Sequence, residues 1–597
     1  MAIQPNLKNN IAALRKVLRE CSGEAVEGMV ILKTDPHQNE YLPACFERLR
    51  WVTGFTGSAG VAIVLQHAAA LFVDGRYSLQ AREEVDPSLF EIEPLKWSTI
   101  KAWIKKNLSK GHRLGYDPWL TLSSQRKILE EACVKAQGTL VSLINENPID
   151  MVWRDRPPLI HQEAMAHPLI YAGKSTQEKL TPILTSMKEE NIDTLILTKL
   201  ASIAWLLNIR GRDIVYNPLP LAYALVNKNE TIDLFLGGKS LSKEEQRCLD
   251  LDARVKIHAY GAFQAALKTL NEQKVWVDPS SVSVGVFEAL EKEKVHFYKV
   301  ADPCVLPKAC KNFVEIQGAR EAHIRDGVAV TRFLAWLDQE VPKGGVTEGK
   351  AAKVLLEYRQ DQSLFQQPSF ETISAFEEHG AIVHYRVTSS TDKKLHFGGL
   401  YLVDSGGQYL DGTTDITRTI ALGGNPSLEK KEAFTRVLKG HIALAQVQFP
   451  KGTTGHQLDA LARQYLWEIG LDYAHGTGHG VGSYLNVHED PQSISPYPNQ
   501  VPLEPGMLLS NEPGYYKEGA YGIRIENIVL VKESSMKGFL EFETLTVVPF
   551  DLSLIEFSLL TSSEKKWITA YHRQIVQILS PYLDAVSKKW LEKYVKN

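Results

Sequence analysis

Leu400-Tyr401-Leu402-Val403-Asp404-Ser405-Gly406, followed eleven residues after its aspartate by Thr414-Asp415-Ile416-Thr417-Arg418-Thr419, is the stretch on which the reading of this chain turns. The first run is β-type and ends at Gly406-Gly407; the second follows a turn at Asp411-Gly412. Two antiparallel strands joined by a short loop can bring both aspartates to one face, about 5 Å apart when paired. That is close enough to share a metal. Alone, an aspartate beside glycine is more often a turn residue than a ligand. These two are not alone. Downstream lie His475-Gly476-Thr477-Gly478-His479-Gly480, Asn511-Glu512-Pro513-Gly514 and Gly522-Ile523-Arg524-Ile525-Glu526-Asn527. Four carboxylates (Asp404, Asp415, Glu512, Glu526) and one imidazole suit two adjacent divalent cations. The carboxylates offset the positive charge and can bridge, and a single neutral nitrogen leaves positions for water and substrate.

His475 and His479 are four apart, a spacing that faces one metal from a helix in zinc proteases. Alternating glycines make a helix improbable here, and a glycine-rich strand or loop is the better reading. Glu512 follows Met507-Leu508-Leu509-Ser510-Asn511, a buried-strand pattern, and Pro513-Gly514 turns the chain at once. In Ile523-Arg524-Ile525-Glu526, strict alternation places Arg524 and Glu526 on one face and both isoleucines on the other. Arg524 cannot bind a metal, but it can orient a ligating carboxylate.

The N-terminal half carries an α/β pattern twice. Met29-Val30-Ile31-Leu32 reads as a strand, Tyr41–Leu49 as helix-like, Trp51–Gly57 as a Trp-centred segment, and Val61–Leu65 with Ala70–Val73 as two strands joined by a turn. The order returns in Thr194–Thr198, Ile203–Gly211, Ala222–Val226 and Ile232–Leu236, which predicts a divergent internal duplication. Trp153-Arg154-Asp155-Arg156-Pro157-Pro158 reads as a linker. Asn312 with Glu315 resembles a capping box opening a long helix, with Ile324, Val328, Leu334 and Leu337 at roughly helical spacing. The expected domains are 1–156, 157–310 and 311–597, the last ending in a helical tail of about fifty residues.

A chain of 597 residues exceeds one hydrophobic core. With 44% hydrophobic and 23% charged residues it has ordinary globular composition, and 67 basic against 70 acidic residues give no support for nucleic-acid or acidic-membrane binding. Six cysteines without a CxxC pair (Cys21, Cys45, Cys133, Cys248, Cys304, Cys310) argue against a zinc ribbon or disulfide framework. The first residues hold no apolar signal core, and Ser58–Val73 falls short of a membrane span, so the cytoplasm is the expected location.

In this order, the five motifs resemble the pita-bread metallopeptidase superfamily, and within it the three-domain X-prolyl aminopeptidases (aminopeptidase P). The resemblance extends over essentially the whole chain, including Trp51–Gly60, Asp74-Gly75-Arg76-Tyr77, Ala204–Gly211 and Val341–Glu348. It implies two related N-terminal α/β domains before a pita-bread catalytic domain. Metal ligation would fall on Asp404, Asp415, His479, Glu512 and Glu526. It puts His384 and His488 at substrate-handling positions, where either can donate to the developing oxyanion. Arg76 corresponds to a position that can contact bound peptide. Two manganese ions are the implied cofactor and a homodimer the expected assembly. The activity implied is release of the first residue from peptides with a free α-amino group and proline second. A hydroxide between two metals would attack, and Glu512 would carry the proton to the leaving nitrogen. Tyr515 and Tyr516 either wall the pocket or pack. Two alternatives are an X-Pro dipeptidase of the prolidase type, which usually carries one N-terminal α/β domain, and a metal-free peptide-binding module, which full retention of the ligands opposes.

Overall fold

Two six-stranded sheets in this protein repeat one strand order. The computed structural model describes residues 7–20, 25–238, 241–244 and 254–595; Cys21 and Cys248 lie outside them. The first sheet holds β1 (Gly28–Leu32), β2 (Val61–Leu65), β3 (Ala69–Val73), β4 (Glu91–Pro94), β5 (Arg113–Tyr116) and β6 (Thr139–Ser142), in the order β4-β3-β2-β1-β5-β6. The second holds β7 (Thr194–Leu197), β8 (Ala222–Asn227), β9 (Ile232–Leu236), β10 (Val255–Ala259), β11 (Lys274–Val277) and β12 (His296–Lys299), in the order β10-β9-β8-β7-β11-β12. Each pairing repeats with its direction, from the antiparallel β1–β2 and β7–β8 to the parallel β1–β5 and β7–β11. The predicted duplication is therefore present strand by strand.

β1 reads as an unbroken apolar run because both of its faces are covered. Met29 and Ile31 enter one core with Val64 and Leu71, while Val30 and Leu32 enter another with Ile63 and Phe72. The Trp-centred segments are helices, Arg48–Thr53 and Leu200–Leu206, each closed by a positive-φ residue nearby, Gly54 and Asn208. The helix expected over Tyr41–Leu49 is displaced. Pro43 begins a single 3₁₀ turn over Ala44–Phe46, Glu47 leaves helical geometry at ψ 43°, and the α-helix starts only at Arg48. Among the described residues, Cys45, Cys133, Cys304 and Cys310 form no disulfide.

The chain forms two compact units. Met1–Pro168, Lys174–Val215 and Leu219–Cys304 make one; Leu169–Gly173, Tyr216–Pro218 and Val305–Asn597 make the other. The long segment of the second opens with α1 (Val305–Ala309) and α2 (Phe313–Glu340). α2 opens on the expected capping box: Asn312 Oδ1 accepts from the Val314 and Glu315 amides, and Glu315 accepts from the Asn312 amide at 3.0 Å. After α3 (Glu348–Gln360) comes a three-stranded sheet, β13 (Ile373–Phe376), β14 (Leu400–Ser405) and β15 (Ile416–Ala421), with β14 central. α4 (Leu428–Gln446) and α5 (Gly455–Trp467) flank β16 (Gln448–Pro450) in sequence. Further along come β17 (Gly478–Gly480), β18 (Glu489–Ile494), β19 (Leu508–Asn511), the hairpin β20 (Gly514–Lys517) with β21 (Tyr521–Arg524), β22 (Asn527–Glu533) and β23 (Phe539–Thr544). They build a sheet ordered β16-β23-β22-β19-β17-β18, apart from the two-stranded β20–β21. α6 (Ser562–Leu579) and α7 (Ala585–Glu592) form the helical tail.

One core joins α2 to the small sheet: Phe333, Leu334 and Leu337 pack with Tyr401, Val403, Ile416, Ile523 and Ile525. Burying Ile523 and Ile525 completely is worth about 1.5–3 kcal/mol each, and it anchors the backbone that carries Arg524 and Glu526. Among the described residues no helix is long and apolar enough to cross a membrane.

Candidate metal centre

Asp404 is the fifth residue of β14, an otherwise apolar strand paired on both sides. It stands opposite Thr417, so Asp415, two residues before Thr417, is its diagonal neighbour rather than its direct partner. Residues two apart share a face, which keeps both carboxylates on one side of the sheet at the longer diagonal spacing. Glu526 arrives from a break in the chain. The continuous strand expected over Ile523–Glu526 ends at Arg524, because Ile525 N donates to Pro513 O and Glu526 N to Thr417 O before β22 begins. Alternation survives the break: both isoleucines enter the core while Arg524 and Glu526 face Asp404 and Thr417.

β17 brings His479, and its glycines are required by close approach. A Cβ on Gly478 would sit 2.0 Å from Ser510 O, and one on Gly480 2.3 Å from Glu489 O. His479 Nδ1 contacts Gly480 O at 2.9 Å, which directs Nε2 toward Asp415 Oδ2 at 3.4 Å and Glu512 Oε1 at 3.5 Å. A donating Nδ1–H fixes the tautomer with a lone pair on Nε2. Ligand atoms of Asp415, His479 and Glu526 lie within 4.8 Å of one another. Glu512, one residue beyond β19, accepts from Ser510 Oγ at 3.0 Å. Its side chain is 17% exposed and that of His479 22%, whereas Asp404, Asp415 and Glu526 are buried, so the cluster opens on one side.

Asp404 Oδ1 and Asp415 Oδ1 are withdrawn from solvent without a hydrogen-bond partner. A buried carboxylate oxygen is costly unless a proton or a cation meets it. Four carboxylates and one imidazole are the donor set of a divalent-cation site, with the Arg524 guanidinium holding one of the carboxylates, and the residues fit two such ions. The titration behaviour reflects the crowding. Burial, then the charges of Asp415 and Glu512, push Asp404 up to about 6 against the pull of Arg524. Burial and the carboxylates of Asp415, Glu512 and Asp404 hold Glu526 well above the usual range. Burial alone would lower His479, but the hydrogen bond to Asp415 and the charges of Glu512 and Asp415 outweigh it and raise it to about 9.

Arg524 ties the wall together. It donates to Asp404 Oδ2 at 2.6 Å, to Tyr516 Oη at 2.7 Å, to Thr417 Oγ1 at 3.2 Å and, at 3.4 Å, to Val383 O. Tyr516 Oη also meets His475 Nε2 at 2.8 Å. Hence His475 sits on the tyrosine side and His479 on the carboxylate side. His384 follows Val383 in a turn, not at the end of a strand as its apolar flank suggests, since the short helical segment Glu377–Ala381 occupies that position. His488 is exposed, and its ring lies edge-on to that of His479, centroids 4.4 Å apart at 89°. Arg76 belongs to the N-terminal unit, where Asp74 holds it by two hydrogen bonds of 3.0 and 2.7 Å.

Two contributors escaped the sequence reading. Thr417 Oγ1 donates to Glu526 Oε2 at 2.7 Å. Arg418, 1% exposed, donates to the carbonyls of Thr417 and Glu526 at 2.9 and 2.7 Å. An arginine between the apolar Ile416 and Ile420 was the available signal.

Residues 317–533 match metallopeptidase family M24, residues 13–146 and 155–315 match the creatinase/prolidase N-terminal domain, and residues 538–597 match the C-terminal region of peptidase M24. Fold and cluster together define a metallopeptidase, a hydrolase with a pita-bread domain behind two creatinase-like domains. The chain is 36% identical to aminopeptidase P1 of Lotus japonicus over 98% of this chain and 99% of that one. An X-prolyl aminopeptidase from Caenorhabditis elegans, described as a cytosolic enzyme with a di-nuclear active site, matches with a TM-score of 0.93 at 32% identity, covering 99% of each chain. An Xaa-Pro dipeptidase from Bacillus anthracis, 25% identical, matches 63% of this chain and 99% of its own at a TM-score of 0.53. The chain belongs to the X-prolyl aminopeptidase (aminopeptidase P) family.

Proposed function

We propose that this protein removes the N-terminal residue from peptides with proline in the second position, with two divalent metal ions held by Asp404, Asp415, His479, Glu512 and Glu526. The observation that carries the assignment is the convergence of these side chains with two carboxylate oxygens buried and unpartnered. Manganese is the metal we assign. Bound divalent ions there supply Lewis-acid charge and bring the pKa of water toward neutrality.

Glu512, on the open side and within 3.5 Å of His479, takes the proton of the attacking water. It then delivers that proton to the leaving nitrogen. The nitrogen of an X-Pro bond is tertiary and carries no hydrogen, so cleavage requires an acid at that atom. His488 and His384 donate hydrogen bonds to the carbonyl oxygen as it gains charge. Arg524 holds Asp404 and Tyr516, and Tyr516 with Tyr515 walls the pocket. Arg76 is assigned a contact with bound peptide. The functional modules are residues 1–156, 157–310 and 311–597, and the protein acts as a cytoplasmic homodimer. A second N-terminal α/β domain, repeating the first, favours this reading over a prolidase.

Mass spectrometry of products tests the assignment, using Arg-Pro-Pro-type peptides, their N-acetylated forms and X-Pro dipeptides with manganese present. Release of the first residue from free peptides longer than two residues, and no cleavage after acetylation, is expected. Cleavage confined to dipeptides would favour a prolidase, and none at all a binding module.

A further inference from the structure

Beside the carboxylate cluster lies a second group of buried charges. Lys308 of α1 donates to Glu489 Oε2 at 2.6 Å, and Lys311 to Glu489 Oε1. Their side chains are 4% and 1% exposed, and that of Glu489 1%. The buried carboxylate of Glu315 adds its attraction at Lys311. Burial draws the Lys311 pKa down against the attraction of Glu489. Removing three charges from water is expensive even when they are paired, so the triad is not explained by packing stability.

Its place in the sheet supplies the explanation. Glu489 is the first residue of β18, and His488 immediately precedes it. The β17–β18 ladder is irregular: His479 pairs with Ser493 but Gly480 pairs with Glu489, so Asp490, Pro491 and Gln492 are skipped. The ladder keeps Glu489 paired with Gly480 across the irregularity, and the two lysines add a second hold through its side chain. The lysines are themselves fixed. Lys311 N donates to Gly506 O at 3.0 Å, and Cys310 bridges Met507 just before β19, the strand leading to Glu512. Glu489 O in turn lies so close to Gly480 that a Cβ there would approach to 2.3 Å. His479 and His488 each neighbour one residue of that Gly480–Glu489 contact, and their rings meet at 4.4 Å.

We propose that Lys308, Lys311 and Glu489 are positioning residues for the reaction: they clamp the start of β18 so that His488 stands against His479 at the open side of the metal centre. The inference rests on the reading of His488 as the donor to the substrate carbonyl. It predicts coupling between residues on different elements. Removing the clamp costs activity only while His488 is present.

The test is a double-mutant cycle on the full-length, manganese-loaded protein. Lys308→Met, Lys311→Met and the isosteric Glu489→Gln are each made alone and combined with His488→Ala; bound metal, kcat and KM are measured for all. With metal content retained, each single clamp variant loses about tenfold or more in kcat, with KM changed less than about threefold. In the His488→Ala background the same changes cost less than about twofold. Equal losses in both backgrounds, or wild-type kcat in the clamp variants, overturn the proposal. A crystal structure of Glu489→Gln gives a readout independent of turnover: the His488 ring is expected to leave its edge contact with His479, and a ring left in place refutes the clamp. If the unaltered protein cleaves no X-Pro peptide, the assigned reaction fails, and the clamp is judged on that ring position.

Discussion

Thr417→Val removes a single hydroxyl from the wall of the metal centre and leaves the shape of the side chain. That hydroxyl donates to Glu526 Oε2 at 2.7 Å and accepts from Arg524 Nε at 3.2 Å. Thr417 is fully buried, so water cannot replace it. Hydrogen bonds to charged groups contribute roughly 1.5–3 kcal/mol, which corresponds to about 10- to 150-fold in an equilibrium constant. Loss of an outer partner of a metal-ligating carboxylate typically costs about 10–100-fold in affinity. The two magnitudes agree. The sign of the pH effect follows from the site. Burial and three neighbouring carboxylates already hold the Glu526 carboxyl high, and Thr417 opposes them. Without the hydroxyl the carboxyl rises further, and a cation must displace a more firmly held proton. Manganese affinity of stripped protein, measured calorimetrically from about pH 6 to 8.5, rises with pH in both proteins; in the variant the curve is displaced about one to two units toward alkali. Thr417→Ser restores the donor and the wild-type curve. Affinity within twofold of wild type across the range, or a displacement toward acid, would refute the reasoning.

Asp415→Ala and Glu526→Ala each abolish peptide hydrolysis while circular dichroism stays native, and metal analysis reports lost ions; near wild-type turnover after metal resupply would sink the ligand assignment. Arg524→Met leaves Asp404 without its guanidinium, which destabilises metal-free protein by about 3–5 kcal/mol, and bound manganese recovers part of the loss in a thermal melt. Equal loss with and without metal would show that the cation does not meet Asp404. In stripped protein, Asp404 at about 6 and His479 at about 9 bind protons more tightly folded than unfolded. Their contribution to stability is complete below the ordinary values of about 3.9 and 6.5 and is lost as pH rises through the folded ones. The melting-temperature gain from manganese therefore grows between about pH 5 and 9, and a gain that shrinks over that range contradicts the titration order.

The fold was legible where local pattern and tertiary context agree. Met29–Leu32 and Val61–Leu65 are apolar throughout because their sheet is covered on both faces, so their strands could be placed from composition alone. The capping box at Asn312 and Glu315 is a local device, and it folds as it reads. Tyr41–Leu49 failed for an equally local reason: its apolar spacing is helical, but Pro43 and the geometry of Glu47 divide it. The Ile523–Glu526 strand failed differently. Its alternation is genuine, yet the backbone changes hydrogen-bond partners at Ile525 and Glu526, to Pro513 beyond a turn and to Thr417 more than a hundred positions away.

Candidate ligand types could be read from the sequence, and so could Arg524, which holds Asp404; Thr417 and Arg418 could not. A carboxylate beside a strand advertises itself, and five such motifs in series constrain one another. Arg418 advertises nothing comparable. Buried, with its pKa drawn down, it has six hydrogen bonds and none to a carboxylate: its acceptors are four backbone carbonyls, the amide oxygen of Asn527 and the hydroxyl of Tyr571. Those carbonyls belong to Thr417, Glu526, Val548 and Pro549, so one guanidinium joins the backbones of two strand segments to the chain leading into the helical tail. Tyr571 of α6 completes the junction: its single hydroxyl proton sits between Thr546 O at 2.9 Å and Val548 O at 3.0 Å. Five of these six partners lie more than a hundred residues from Arg418, and four of the six offer backbone oxygen, which carries no residue-type signature. Sequence patterns report side chains that meet side chains or solvent. Where a buried cation is satisfied mainly by main chain, only the folded structure reveals which residues it holds, and here it holds the carbonyl of Glu526.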